Sequence, residues 1–484
     1  MQTRSPNSAS TARRAPAEPP GTVPNLRGLS PFPSRAGDCP DFAQSAEQNG
    51  TVPFSRAGLT LVELLVTISI IAILAGLFLG ALQSATEEAK AMKTKSMIAK
   101  LNNLIMPRYD AYRTRRVPII IAPTNSVNPM APLITPQQAA KYRLDALHDL
   151  MRMEMPDRMT DIVYPPITSS AYDASGAIGT VTIARPSISQ AYYQALVTAF
   201  GSPLSIGQNV NLANQGAECL YLIVTLGFVD ELGGRDLFNE GSIGDTDSDG
   251  LSEFLDAWGT PIGFLRWAPG FTESELNGAG GTLAGQLSPT SLTAAGSPPG
   301  ISSFGLARRN NAYVGKTITI FTPSTGAKQV ATIVSSFYDS THGTTTINVS
   351  GNGVTLNGNE TFGIDPDPFD PMHVYPNSAL VPTNAVPFAL YPLIYSAGPD
   401  RTFGVLTDFS STTPLVYATA AAQGTWLPNG ASNYPFLTDA GSSDADYGQS
   451  MGSTKDITSE QSANASWESS GWLDNIHNHL IGTK

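Results

Sequence analysis

A single carboxylate interrupts an apolar run near the N-terminus of the chain. Residues 59–82 carry no charge other than that of Glu63. Folded as a helix that rises about 1.5 Å per residue, the run would span about 36 Å, enough to cross a hydrocarbon core about 30 Å thick. A carboxylate is costly in lipid, so it is expected to have a partner or a function there. The sequence therefore predicts a membrane-spanning helix whose one charge takes part in an interaction.

A basic residue and a small-residue step stand just before this run. Arg56 is followed by Gly58, and Leu59-Thr-Leu-Val-Glu63 opens the apolar run. This segment closely resembles the type IV prepilin and type II secretion pseudopilin signature, although Leu59 stands where Phe is usual. The resemblance implies that a membrane-embedded prepilin peptidase cuts between Gly58 and Leu59, and that the new N-terminus is methylated.

Cleavage would create a positive charge close to Glu63. The free amine of Leu59 would add to the positive end of the helix dipole, and Glu63 lies four residues further on, on the same helix face. The resemblance implies that Glu63 meets the terminal amine of a neighbouring subunit during assembly. The alternatives are a signal-anchor helix with an incidental Glu and an ordinary secretory signal cut near Ala85.

Acidic residues recur further along the chain at the spacing of a calcium-binding loop. Counted from the first of them, carboxylates stand at positions 1, 3, 5, 9 and 12 and Gly250 at position 6, while Leu251 at position 7 would offer its backbone carbonyl. Alternate carboxylates converge on a hard cation in such loops, and the Gly permits a sharp turn. The last acid is Asp rather than the usual Glu, and a solvated acidic turn is the alternative. The candidate Ca²⁺ ligands are Asp245, Asp247, Asp249, Leu251, Glu253 and Asp256.

Three short motifs in the remainder of the chain extend the resemblance. They are similar to the D-x-W-G-x-P, S-x-G-x-D and closing D-N-I elements of G-type major pseudopilins, and they lie at 256–261, 396–400 and 472–476. In that family the C-terminal loop binds Ca²⁺, which implies Asp400 and Asp474 as further candidate ligands.

Composition narrows the class of protein. The formal net charge is −12, and it becomes −14 without the first 58 residues, which hold six Arg and four acids. This balance argues against a nucleic-acid-binding face, which needs clustered Lys and Arg. Cys39 would be lost on cleavage, so Cys219 would have no partner for an intramolecular disulfide and is predicted to be a core residue.

No residue pattern indicates catalysis. The sequence shows no Ser-His-Asp order, phosphate-binding loop or paired-Cys metal site, so we predict that the protein is not an enzyme. His477-Asn-His479 could bind a transition metal if it lay on a strand, but on a polar tail such a pair is more often solvated.

The resemblance implies an α+β, pilin-like architecture: a long N-terminal transmembrane helix packed on a globular head with antiparallel β-sheet, extra helices and a β insertion. We expect six segments. Residues 1–58 form a disordered leader that is removed, or that reflects a start codon placed too far upstream, and residues 59–117 form the N-terminal helix, which is membrane-spanning to about residue 82. The first part of the head (118–268), a linker (269–304), the β insertion (305–365) and the C-terminal part of the head with a long surface loop (366–484) follow.

Periodicity and capping signals place the individual elements. Pro118 is predicted to end the first helix. Further helices are predicted over 136–154, 188–200 and 214–226. Strands are predicted over 259–267, 316–322, 329–338, 344–350 and 388–396.

We therefore expect a structural subunit that assembles into a type II secretion or type IV pilus-like filament. It would be a single-pass protein of the bacterial inner membrane with its head in the periplasm. The expected partners are a prepilin peptidase, other pseudopilin subunits, the inner-membrane assembly platform and membrane lipid, without nucleic acid. The alternatives are a minor pilin adhesin or binding module, and a membrane-tethered extracytoplasmic enzyme.

Overall fold

The chain divides into two compact units, Met1–Ile71 and Ala72–Lys484. Gly58, Leu59 and the predicted surface loop over 409–471 lie outside the residues that the structure describes. The computed structural model describes residues 60–117, 119–123, 136–163, 166, 169–173, 176–200, 214–227, 234–268, 271, 274–295, 303–304, 309–322, 327–339, 344–351, 353–356, 360–370, 388–405 and 474–480.

The first helix, α1, runs over Leu61–Ala111, and its 51 residues correspond to about 76 Å at 1.5 Å per residue. Its apolar side chains up to Leu82 are exposed to the surroundings. Within the described residues α1 is the one helix long and apolar enough to cross a membrane. It continues past Pro107 and ends well before Pro118, because the chain from Tyr112 onward turns with hydrogen bonds to residues three positions earlier.

The later part of α1 belongs to the core of the head. Its buried side chains recur every three or four residues and form one stripe: Met97, Ile98, Leu101, Ile105 and Tyr109. Burying an apolar side chain of this size stabilises a fold by about 1.5–3 kcal/mol. Other helices in the described part pack in the same core: α2 Pro136–Glu154, α3 Met159–Val163, α4 Ser187–Phe200 and α5 Gln215–Leu226. The predicted helices agree with α2, α4 and α5 to within one residue at each end.

The strands of the described residues are mostly short and pair in antiparallel fashion. They are β1 Ile120–Pro123, β2 Ser169–Asp173, β3 Gly176–Thr182, β4 Ile243–Gly244, β5 Glu253–Phe254, β6 Gly263–Leu265, β7 Ala279–Ser288, β8 Ser291–Ala295, β9 Ser303–Phe304, β10 Thr317–Thr322, β11 Ala327–Asp339, β12 Thr344–Val349, β13 Thr361–Ile364, β14 Leu393–Ser396 and β15 Ile476–His477.

Three small sheets belong to the helical part of the head. One has the strand order β1-β3-β2, and another pairs β4 with β5 on either side of the acidic loop. The third has the order β15-β14-β6 and brings the C-terminal strand next to β14. The predicted strand over 259–267 is shorter in the structure, since residues 256–260 form a turn before β6 begins.

The β insertion is a closed barrel with its own core. The strand order is β13-β10-β11-β12-β8-β7-β9, and an additional pairing of β13 with β7 closes six of the strands into a ring. Their inward side chains form a separate apolar cluster that includes Ile318, Ile347 and Phe362.

The barrel differs from the prediction in one segment. The sequence predicts a linker over 269–304, whereas the structure has β7, β8 and β9 there. Gly280 and Gly281 of β7 pair with Gly363 and Phe362 of β13, so the Gly-rich composition that suggests a loop instead forms a wall of the barrel. The fold class is α+β, with an N-terminal apolar helix, antiparallel sheets and further helices, as predicted.

Candidate functional site

Thr60 and Glu63 bond to each other at the start of α1. The Glu63 N–H donates to Thr60 Oγ1 at 3.2 Å, and the Thr60 N–H donates back to Glu63 Oε2 at 3.0 Å. The Thr60 hydroxyl also donates to Glu63 Oε2, at 3.1 Å. This reciprocal pattern is a capping box, in which two backbone N–H groups that lack a partner within the helix find one. The T-x-x-E spacing is enough to predict this box, which adds a local role for Glu63 to the assembly role expected from the sequence.

Two glycines one helical turn apart lie on the apolar part of α1. A Cβ atom added at Gly76 or at Gly80 would meet nothing within 4 Å. In lipid, glycines at this G-x-x-x-G spacing allow two helix backbones to approach closely. The predictions from the sequence did not include this pattern, although residues 76–80 show it directly.

The acidic loop connects β4 to β5 and is held together by its own side chains. The two carboxylate oxygens of Asp245 accept the N–H groups of Asp249 and Gly250, at 3.2 and 3.0 Å. Asp249 Oδ1 accepts the N–H of Leu251 at 2.9 Å, and the Leu251 side chain is buried in the core. Gly250 has a φ of +100°, a conformation that favours glycine. The loop is therefore a structured turn.

The loop lies against the first turns of α5. Asn214, just before α5, donates from Nδ2 to Asp247 Oδ2 at 3.0 Å. One turn further on, Glu218 extends a buried side chain towards the loop, and carboxylate oxygens of Glu218, Asp247 and Glu253 lie within 4.8 Å of one another. Asp245, Asp247 and Asp249 form a second group at the same separation. The structure thus adds Glu218 to the acids predicted from the sequence.

Burial and mutual repulsion disfavour the charged forms of these acids. Burial, followed by the charges of Asp249, Asp247 and Glu253, raises the pKa of Glu218 to about 10. Burial raises the pKa of Glu253 to about 7, although Glu253 Oε2 accepts the Thr246 N–H at 3.1 Å. Negative charge held this close in a protein interior is usually compensated by a cation or a proton.

Asp256 has a different role from the one that the loop spacing suggests. Its Oδ1 accepts the N–H groups of Trp258 and Thr260, both at 2.9 Å, and its Oδ2 accepts the Ser396 hydroxyl at 2.7 Å. Asp256 belongs to neither group of close carboxylates. Asp256 therefore caps the turn that leads to β6, and its predicted role as the twelfth ligand stays a prediction.

Comparison with known protein families decides the nature of the N-terminal segment. Residues 54–79 match the family model of the prokaryotic N-terminal methylation motif, a range that includes Gly58, Leu59 and Glu63. The N-terminal segment is a type IV prepilin-like motif. No characterised protein and no solved structure matches the chain.

The motif indicates that the chain is a precursor of the type IV pilin- or pseudopilin-like kind. It implies processing by a prepilin peptidase and assembly with other pilin subunits. Together with the apolar part of α1, it indicates a single-pass membrane anchor.

In this prepilin-like chain the turn at 256–261 holds the later part of α1. Trp258 Nε1 donates to Glu87 Oε2 at 2.7 Å, and the Ala257 N–H donates to Thr94 Oγ1 at 3.1 Å. These two bonds join the D-x-W-G-x-P motif to α1 just beyond the apolar run. The motif thus positions α1 on the head.

The structure brings Asp400 and Asp474 together at the C-terminal turn. The Asp400 N–H donates to Asp474 Oδ2 at 3.3 Å, while Asp474 Oδ1 is buried without a hydrogen-bond partner. Gly398 permits this approach, because its φ is +75° and a Cβ atom there would lie 2.6 Å from the Asp474 carbonyl oxygen. Their predicted role as Ca²⁺ ligands stays a prediction.

The C-terminal residues form part of the core. Asn478 Nδ2 donates to Asn102 Oδ1 of α1 and to the Pro392 carbonyl oxygen, both at 2.9 Å. His477 and His479 are buried, and both rings contact Phe271 edge to face. The H-x-H pair is therefore not on a solvated tail. Burial lowers the pKa of His477 to about 4 and that of His479 to about 3.

A buried cluster of ions joins β6 to α2 and α3. Arg266 is fully buried, and its Nη1 donates to Asp161 Oδ2 at 2.7 Å and to the Met155 carbonyl oxygen at 2.8 Å. Its backbone N–H donates to Asp157 Oδ2 at 3.0 Å. Cys219 lies in the neighbouring core as a buried free thiol, as predicted.

Proposed function

We propose that this chain is a structural subunit of a pilin-like filament, in a type II secretion or type IV pilus-like system. One observation carries the proposal: the methylation motif over 54–79 continues into a helix whose apolar side chains up to Leu82 are all exposed. Such a surface needs lipid around it before assembly and other helices around it afterwards. The proposed role is assembly rather than catalysis.

The proposed sequence of events begins in the bacterial inner membrane, with α1 spanning it once and the head in the periplasm. A prepilin peptidase cuts between Gly58 and Leu59, and the new amine is methylated. Glu63 then exchanges its hydrogen bonds with Thr60 for a charge pair with the terminal amine of a neighbouring subunit. Two charges that are each costly in lipid are thereby paired. The other partner in this proposal is an inner-membrane assembly platform.

Gly76 and Gly80 support helix packing in this proposal. A neighbouring helix can approach the backbone at both positions, since the space around them is open. Closely packed helices gain van der Waals contacts that lipid chains do not supply.

A filament assay with paired variants tests the charge role. Glu63→Gln keeps an oxygen that can accept the Thr60 bonds but removes the charge, whereas Glu88→Gln removes an exposed charge on the same helix outside the apolar run. We expect Glu63→Gln to be cut normally and to form few or no filaments, while Glu88→Gln assembles like the wild type. Filaments of normal yield from Glu63→Gln would refute the charge pairing.

A second candidate function is a binding module displayed on the filament. The outer face of β11 exposes Val330, Val334 and Phe337, each with more than half of its surface accessible. A double Val330→Ser, Phe337→Ser variant should still form filaments but lose attachment to a surface or ligand. Unchanged attachment would rule out this face as the binding site.

A further inference from the structure

Five buried carboxylate oxygens without a hydrogen-bond partner lie at one place in the head. They belong to the acidic loop and to α5: Glu218 Oε1 and Oε2, Asp247 Oδ1, Asp249 Oδ2 and Glu253 Oε1. Glu218 and Glu253 are completely buried. No Lys or Arg in the described part of the chain forms an ion pair with any of these four acids. Buried anionic oxygens without compensation are strongly destabilising, so this arrangement points to a bound positive charge.

We propose that Glu218, Asp247 and Glu253 bind one divalent cation of the calcium class between α5 and the acidic loop. Ca²⁺ binds oxygen ligands at 2.3–2.6 Å, so two oxygens on the same ion can be at most about 5 Å apart. The ligand oxygens of these three residues all lie within 4.8 Å of one another, a separation that is compatible with coordination of one ion. Asp249 Oδ2 is next to the site and still lacks a partner.

This ligand set differs from that of a linear calcium loop. Glu218 precedes the loop in the chain and reaches it from a helix. Asp256 is engaged in its own turn, and both oxygens of Asp245 accept backbone N–H groups of the loop. The loop spacing therefore provides part of the site, and the fold supplies the remaining carboxylate.

The fold holds Glu218 in position through a close contact. Gly216, two residues before it on the helix, lies so near β6 that a Cβ atom there would come within 2.7 Å of the Phe264 carbonyl oxygen. The start of α5 is thus fixed against β6 while Glu218 faces the loop. A cation at this point would join α5 to the β4–β5 hairpin.

The alternative is a proton in place of the cation. A protonated Glu218 could donate to Asp249, and the raised pKa of Glu218 is compatible with such a bond when no metal is bound. The two states differ in their response to Ca²⁺, which makes them distinguishable by experiment.

The test uses the purified full-length protein in detergent, stripped with a chelator and titrated with Ca²⁺ or Mg²⁺ by calorimetry, with stoichiometry read from native mass spectrometry. The variants are Glu218→Gln, Asp256→Asn and the control Glu240→Gln, an exposed acid nearby. We expect one Ca²⁺ at this site in the wild type, weaker binding of Mg²⁺, and an affinity for Ca²⁺ at least tenfold lower for Glu218→Gln. Asp256→Asn and Glu240→Gln should bind Ca²⁺ as the wild type does.

Two results would overturn the proposal. One is a chelator-treated wild-type protein that binds no Ca²⁺ and whose melting temperature is the same before and after chelation. The other is loss of binding in Asp256→Asn with normal binding in Glu218→Gln, which would favour a linear loop instead. If Glu218→Gln fails to fold, Asp247→Asn replaces it with the same expected loss, and normal affinity in that variant would equally refute the site.

Discussion

Replacement of Arg266 by Met should severely destabilise the head. The guanidinium is fully buried and bonds to Asp161 at 2.7 Å, while its Nη2 lies 3.6 Å from Asp157 Oδ1. Met fills much of the same volume but leaves both carboxylates without this cation. Removing one partner of a buried ion pair costs about 3–5 kcal/mol, which is a large part of the 5–15 kcal/mol that typically separates the folded from the unfolded state.

Urea unfolding of the full-length protein in detergent, followed by tryptophan fluorescence, measures this loss. The matched control is Arg309→Met, because Arg309 pairs with Glu275 at 3.1 Å where about a third of each side chain is exposed. Loss of a pair with that exposure costs at most about 1 kcal/mol. A deficit for Arg266→Met as small as that of the control would refute the structural role of the cluster.

The loss in free energy of unfolding caused by Arg266→Met should depend on pH, which provides an internal check. Burial already raises the pKa of Asp161 to about 6 with Arg266 present, and loss of the guanidinium would raise it further. A carboxyl whose pKa is higher in the folded state than in the unfolded state lowers the free energy of unfolding as the pH rises from the unfolded-state pKa to the folded-state pKa. The deficit of Arg266→Met should therefore be larger at pH 8 than at pH 5. An equal deficit at both values would show that Asp161 is not the group left unpaired.

Three further predictions follow from the same structure. In Gly76→Leu and Gly80→Leu a side chain fills the open space beside α1, so the filament yield should fall. The control Ala81→Leu, which follows Gly80 in the chain, should assemble normally. Normal filament yield from both Gly variants would exclude a helix contact at these positions. Burial lowers the pKa values of His148, His477 and His479 to about 3, 4 and 3, so each imidazole destabilises the fold as the pH falls below 6.5, by about 1.4 kcal/mol per pKa unit, while the raised pKa values of Glu218, Glu253 and Asp161 act in the opposite direction. The stability that His479→Gln loses relative to the wild type should therefore shrink between pH 6.5 and 4, and a loss that is constant over this range would contradict the burial of that imidazole. Trp258→Phe keeps the ring packing but loses the bond to Glu87, so amide exchange of α1 near residues 87–94 should become faster, and unchanged exchange would show that this bond does not hold the helix.

Local signals in the sequence were sufficient for most helices and for three consecutive strands in the middle of the barrel. The bounds of α2 follow from Pro136 and the apolar stripe that comes after it, and β10 to β12 follow from alternation of apolar and polar residues. These patterns depend only on residues that are close to one another in the chain. For the same reason the apolar run and Glu63 were sufficient to predict a membrane anchor.

Features that depend on distant contacts could not be predicted in this way. The strands β7 and β8 consist largely of Gly, Ser, Thr and Ala, and they become strands because β13 and β12 pair with them. Glu218 stands inside an apolar helix, and nothing in that segment shows that the acidic loop folds against it. Asp256 fits the spacing of a calcium loop, yet the Ser396 hydroxyl, far away in the chain, occupies its second oxygen.

The identity of the mature N-terminus tests the central claim most directly. The full-length chain would be co-expressed with a prepilin peptidase, with an inactive peptidase variant as the control, and the N-terminal peptide would be identified by mass spectrometry. A prepilin-like subunit should yield a peptide that begins at Leu59 and carries a methyl group on its amine, and the control should retain residues before Gly58. A mature N-terminus at any other residue, or the same N-terminus with the inactive peptidase, would contradict processing as a prepilin.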